Sequence, residues 1–156
     1  MSIATRLQSY MSAQGVPWSP VSHQASSTCM ESAHVAHIPP DRVAKAVVLK
    51  GAAGYLMAVI PASRQLNVQK LGDAVAESLA LVSEPTLGEL FTDCKPGAVP
   101  PVGAAYGIRT LWDEGLGGAA DVYFEGGDHQ TLVHMKGADF GKLMRKAAAP
   151  LPAISH

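Results

Sequence analysis

Lys45 is the residue whose type and place most suggest chemistry. It stands inside an apolar run, Val43-Ala44-Lys45-Ala46-Val47-Val48-Leu49, with Val43 and Val47 on its own side if the run is a strand. An ammonium is costly to desolvate. A lysine there either reaches water along a sheet edge or lays its stem on an apolar wall and its head in a polar pocket. Such a head suits a phosphate, a carboxylate or a developing oxyanion.

The second group is Pro96-Gly97-Ala98-Val99-Pro100-Pro101-Val102-Gly103. Proline removes backbone donors at 96, 100 and 101, which leaves the amides of Gly97, Ala98 and Val99. Gly97 permits dihedrals that turn successive N–H groups toward one point, so this rigid loop can form an anion or oxyanion nest. It can equally be a stiffened connection. Gly126-Gly127-Asp128-His129 places an acid and an imidazole in a glycine turn, where both can orient a substrate or water. Asp in such a turn also serves simply as a turn former. Glu31, His34 and His37 recur at three-residue spacing, which puts neighbouring side chains together on a helix. A metal site on them lacks the His-Glu-x-x-His arrangement, and solvent-facing or capping histidines are the better reading. No nucleophile elbow, Walker loop or dinucleotide fingerprint occurs, and nothing pairs a histidine with Cys94.

These residues need elements to hold them. Ser2 to Gln14 carries Ile3, Leu7, Tyr10 and Met11 at helical spacing, with Ser2 as N-cap and Gly15 as stop. Val21 to Gln24 reads as a short strand. Thr28, with Glu31 three residues on, opens a second helix that runs to about His37. Val43 to Leu49 and Tyr55 to Ile60 are strands apolar on both faces, as expected of strands covered on both sides. Gln69 to Leu79 and Pro85 to Phe91 read as helices, and Cys94 to Gly103 as a loop. Asp121 to Glu125 and Gln130 to Met135 form a hairpin. Asp139 to Lys146 is a last helix, and Ala147 to His156 reads as a frayed tail. Strand pairs interrupted by helices, without regular alternation, indicate an α/β (α+β) fold with a mixed or antiparallel sheet. A single domain over 1–146 is expected.

The bulk numbers narrow the function classes. The chain has 156 residues, 47% hydrophobic and 16% charged, which fits one globular domain with a core. Twelve basic against 13 acidic residues, a net charge of -1, argue against broad coating of nucleic acid. A small shaped contact with one RNA end fits this balance. No apolar run reaches the ~20 residues of a membrane span. The first 15 residues lack an apolar stretch behind Arg6, and two cysteines are too few for a disulfide framework. A cytoplasmic protein with free thiols is expected.

In order along the chain, Asp41 to Leu49, Tyr55 to Pro61, Lys95 to Gly103 and Val122 to Leu132 resemble one family: the YbaK/prolyl-tRNA-synthetase-associated domains, freestanding aminoacyl-tRNA deacylases. The similarity covers roughly residues 16 to 145. It implies a mixed, barrel-like sheet ringed by helices. It also implies metal-independent hydrolysis, without cofactor, of the ester joining a wrong small amino acid to tRNA, often tRNA for proline. The family's strand lysine falls on Lys45, its Gly-x-x-x-Pro loop on Gly97 to Pro101, and its acidic hairpin position on Asp128. The tyrosine of some members has no counterpart around Trp18 to Gln24, and Ala46 replaces the polar residue of some subgroups. The resulting expectation assigns Lys45, Gly97, Ala98, Val99 and Asp128 to catalysis and Pro100, Pro101, His129, His34 and Glu31 to substrate binding. The partner is a mischarged tRNA acceptor end, together with a synthetase, and neither membrane nor DNA. The alternative is a non-catalytic module that grips a tRNA 3′ end, a nucleotide or a synthetase.

Overall fold

A computed structural model describes residues 3–26 and 28–152. Its centre is the long hairpin of β2 (Val43–Gly51) and β3 (Gly54–Pro61), paired antiparallel from Ala44↔Pro61 to Gly51↔Gly54. Alternation sorts β2 as its sequence requires. Ala44 and Val48 enter the main core with Met57, Val59 and Phe124. Leu49 faces Leu56, Ala58 and Leu71 on the other side, and Val43 meets Ala33 and Ala62.

Around this hairpin lies an eight-stranded mixed sheet. The added strands are β1 (Ser19–Ser22), β4 (Ala80–Leu81), β5 (Arg109–Trp112), β6 (Asp121–Glu125), β7 (Thr131–Lys136) and β8 (Ala148–Pro150). Their order is β1-β7-β6-β2-β3-β5-β8, with β4 on β2. The sheet is α/β in class and open rather than closed on itself. The pairs β2–β6, β3–β5 and β5–β8 are parallel, and the others are antiparallel.

The helices are α1 (Thr5–Gln14), α2 (Cys29–Val35), α3 (Val68–Val75), α4 (Glu84–Leu90) and α5 (Gly137–Arg145). Gly15 ends α1 in the left-handed region, at φ 67°. The expected N-cap, Ser2, lies outside the described residues. Thr28 caps α2 by accepting from the Glu31 N–H at 3.0 Å. α3 stops at Val75, short of the expected Leu79, because Ala76 turns left-handed and the Glu77 N–H closes on the Gly72 carbonyl. That is a helix-ending bond pattern which periodicity does not reveal.

Three strands escape a reading by periodicity. β4 and β5 are two and four residues long, too short to show a period. Ala148–Pro150 corrects the expected tail: it pairs parallel with Thr110–Trp112, and the Leu151 N–H donates to the Trp112 carbonyl at 2.8 Å. Alanines and prolines without charge suit a strand laid along a covered sheet edge as well as a frayed end.

Candidate active site

β2 changes partners along its length. It pairs with β6 only through Val43 and Ala44, and with β4 only through Leu49 and Lys50. Between them, Lys45 to Val48 have β3 on one edge and no strand on the other. In an antiparallel ladder, alternate residues send both backbone groups to the same side. The Val43 carbonyl accepts from Ala62 on the β3 side, whereas the Val48 carbonyl accepts from Val82 on the β4 side. Ala46 therefore directs its N–H and C=O into the gap.

A cavity of about 120 Å³ occupies this split. Ala46 and Val48 form its floor, and Leu87 of α4 and Val99 form an apolar wall. Thr28, Gly97, Glu125 and His129 complete it. A larger depression of about 820 Å³ lies along α3 between Val68 and Leu79. It is open to solvent and holds none of the residues singled out above.

The turn that carries Gly97 is built by proline and glycine. Ala98 N–H donates to the Lys95 carbonyl at 3.0 Å, with Pro96 at the second position and Gly97 at φ 78° in the third. This is the chemistry of a type II turn. It corrects the expected amide triplet: Ala98 is fully buried and its N–H closes the turn, so it is not a free donor. Gly97 and Val99 keep N–H groups that donate to nothing among the described residues. Pro100 and Pro101 are buried and stiffen the segment behind them.

The facing wall is the β6–β7 hairpin tip. Glu125, only 5% exposed, gathers the loop around one oxygen. Its Oε2 accepts from the N–H groups of Gly127, Asp128 and His129 at 2.8, 3.2 and 3.2 Å. Gly126 must be glycine, since a Cβ would stand 2.7 Å from Ile3 and 2.9 Å from the Thr131 carbonyl oxygen. His129 adopts φ 61° and brings its Nε2 to 2.6 Å from the Pro96 carbonyl oxygen. A carbonyl only accepts, so Nε2 carries a proton and donates. Nδ1 then faces Glu125 Oε1 at 3.8 Å.

Asp128 has a different place from the one expected. Its Oδ1 accepts from Gln130 and Thr131 N–H at 2.9 and 2.7 Å, and its Oδ2 from the Thr131 hydroxyl at 3.0 Å. The carboxylate builds the turn and is absent from the cavity lining. Lys45 is half-buried, and alternation sends its side chain to the face opposite Ala46 and Val48. Among the described residues the Lys45 ammonium has no hydrogen-bond or ion-pair partner, while its backbone pairs with Ile60. Glu31, His34 and His37 are exposed, and the structure does not bring them to the cavity. Thr28, just before α2, takes the position expected of them. No group of three potential metal ligands forms among the described residues.

Two polar clusters lie outside the cavity. Beneath the tip, Tyr106 donates to Asp93 Oδ1 at 2.9 Å, and Cys94 Sγ lies 3.5 Å from both. Burial, together with the charges of Asp93 and Glu125, pushes the Cys94 thiol up to about 12 against a hydrogen bond from Tyr106. Burial also raises Tyr106. Burial likewise acts to raise Asp93, but donation from the Arg6 N–H, Tyr106 and Cys94 outweighs it and leaves that carboxyl low. A thiol held neutral is no nucleophile. On the outer sheet face, His134 bridges Ser19 (3.3 Å) and Asp121 (2.8 Å). Ser19 and His134 are direct cross-strand partners, so this chain of contacts belongs to sheet pairing.

Thr28, Ala46, Val48, Leu87 and Glu125 are the cavity residues that sequence reasoning missed. A lone glutamate at a strand end carries no motif, and an alanine contributes here through its backbone.

Comparison with known proteins places this geometry in context. The family model described as aminoacyl-tRNA editing domain matches residues 23–143. Proline–tRNA ligases of two strains of Xanthomonas oryzae pv. oryzae, MAFF 311018 and KACC10331 / KXO85, are 25% identical over 122 residues. That is 78% of this chain and 21% of theirs, so the chain spans about a fifth of the curated relatives it matches. Among solved structures, a candidate trans-editing enzyme for prolyl tRNA synthetase superposes with a TM-score of 0.77 at 23% identity, covering 94% of both chains. A candidate signal transduction protein from Marinobacter aquaeolei VT8 superposes at 0.76 and 17% identity, covering 99% of this chain and 31% of that one. At these identities the likenesses show the fold.

Proposed function

The chain belongs to the aminoacyl-tRNA editing domain family, and on that premise we propose that it is a trans-acting deacylase that cleaves a small amino acid from a mischarged tRNA, with tRNA for proline the foremost candidate. The observation that carries this reading is the cavity in the split of β2, which the Gly97–Val99 turn and the His129 hairpin tip line together.

Water attacks the ester carbonyl, and the 3′ oxygen of the terminal ribose leaves with a proton. The products are a free amino acid and an uncharged tRNA. The Gly97 and Val99 N–H groups hold the oxyanion. One such preorganised donor contributes about 10²–10³ in rate. His129 holds the turn and lines the pocket, and the substrate's own 2′-hydroxyl assists the water. Lys45, at the open edge of the sheet, positions the terminal adenosine through its phosphate or ribose. The small volume between Val48, Leu87 and Val99 admits small side chains and excludes larger ones, a second sieve. Neither a metal nor a cofactor enters these steps.

The test is incubation with tRNAs charged with Ala, Ser, Thr, Cys and Pro, with and without chelator. Release of at least one amino acid above the spontaneous rate, in chelator, is expected. No release from any of the five overturns the reading. Binding of charged tRNA without turnover would identify a non-catalytic acceptor-end module in its place.

A further inference from the structure

Glu125 is more than a loop anchor. Three backbone N–H groups converge on its Oε2. Its Oε1 accepts no hydrogen bond among the described residues, and His129 Nδ1 lies 3.8 Å from it. A carboxylate removed from water needs donors on both oxygens. Here one oxygen is saturated and the other is not, in a residue that is buried and still lines the cavity. Across the gap, the Ala46 C=O lies on the strand edge that neither β6 nor β4 covers. Two acceptors, one of them anionic, thus border a space of about 120 Å³ whose other walls include Val48, Leu87 and Val99. The complement of that pair is a compact cation with several donors.

We propose that Glu125 Oε1 and the Ala46 carbonyl form a subsite for the free α-ammonium of the aminoacyl ester, so that the protein selects esters with an unblocked, charged α-amino group. The inference rests on the deacylase reading and deepens it. The ammonium supplies three N–H donors. One meets the carboxylate and one the strand carbonyl, while the amino-acid side chain turns toward Val48, Leu87 and Val99. The ester carbonyl then points to the Gly97 turn. Charge-assisted bonds of this kind are about twice as strong as neutral ones and are short and directional. N-blocked esters would leave the carboxylate unpaired in the closed site.

The experiment compares the fastest of the five esters above with its α-hydroxy counterpart of the same size (lactyl for alanyl, glyceryl for seryl). Each enzymatic rate is divided by the spontaneous hydrolysis rate of the same ester, because an ammonium itself activates its ester. For the wild type, the aminoacyl ester is expected to exceed the hydroxyacyl ester at least tenfold in normalised kcat/KM. In Glu125→Gln, which keeps an oxygen for the three loop N–H groups, the ratio is expected to fall to within about twofold, through a slower aminoacyl reaction. A wild-type ratio near one overturns the subsite and leaves the deacylase reading standing. Equal slowing of both esters in Glu125→Gln, with circular dichroism unchanged, reduces Glu125 to a loop anchor and overturns it as well. If Glu125→Gln does not fold, the wild-type ratio alone decides. If the wild type cleaves neither ester, the deacylase reading falls and this inference with it.

Discussion

His129 Nε2 lies 2.6 Å from the Pro96 carbonyl oxygen and ties the β6–β7 hairpin tip to a turn 33 residues earlier. A trans peptide is planar. Fixing the Pro96 oxygen therefore fixes the Gly97 N–H on the opposite side of the same plane. One imidazole thus sets the aim of a backbone donor.

Removing that imidazole should loosen the turn without unfolding the sheet. His129→Ala is expected to lower deacylation kcat/KM by about 10–10²-fold, the scale of a positioning loss. Loss of one hydrogen bond costs about 1 kcal/mol, so Tm should fall only a few degrees. His129→Asn, which tolerates the left-handed backbone at this position, should melt closer to wild type than Ala while remaining slow. Steady-state rates with thermal melts check both.

Gly97→Ala tests the turn itself. The added Cβ would stand 3.7 Å from the His129 ring, an ordinary contact, so the strain lies in the backbone at φ 78°. A left-handed non-glycine residue costs about 1–2 kcal/mol, equivalent to roughly 2–8 °C in Tm for a chain of this size. Relief by rotating the peptide would swing the Gly97 N–H away, so activity should fall more steeply than stability. An unaltered rate would remove this amide from the mechanism.

Lys45→Ala separates function from fold. With no partner for its ammonium among the described residues, Lys45 leaves no charge stranded when it is removed. Stability should stay within about 0.5 kcal/mol of wild type, as for other surface changes, while deacylation is lost. Lys45→Arg should rescue only in part, because a planar fork does not replace a point charge. Lys45→Glu should be worse than Ala, since it sets a negative charge beside the phosphate that the lysine is proposed to hold. Full activity in a stable Lys45→Ala protein would exclude the residue.

Cys94 sets a pH dependence. Its thiol ionises near 9 in an unfolded chain and is pushed up to about 12 in the fold. The folded state therefore prefers the protonated form. That stability is complete below pH 9 and is lost as pH rises toward 12. The Tm of wild type relative to Cys94→Ala should accordingly decline between pH 8 and 11. In a Cys29→Ser background, alkylation of Cys94 at pH 8 should be slow, and Cys94→Ala should retain deacylase activity. Fast alkylation at pH 8 would contradict the buried, neutral thiol.

What the amino-acid sequence by itself determined about this protein is local. Two-faced apolar runs specified β2 and β3, because a strand's alternation is written in its own residues. Thr28 with Glu31, Pro96 with Gly97, and the glycines at 126 and 127 announced a cap and two turns, since each depends on dihedrals and bonds within a few residues. The likeness across four ordered motifs located the same loops. Only the tertiary structure decided the rest. Where along β2 the cavity opens depends on which partners the strand takes at each end. Whether Ala98 or Gly97 offers a free amide depends on how the turn closes. Glu125 became a site residue because the hairpin folds its amides onto one oxygen, and Asp128 became a turn former for the same reason. Ala46 matters through a strand edge that β6 and β4 leave uncovered, and Ala148 to Pro150 became a strand because β5 lay open beside them. Each of these outcomes is a pairing between residues far apart in the chain, and no local propensity encodes it.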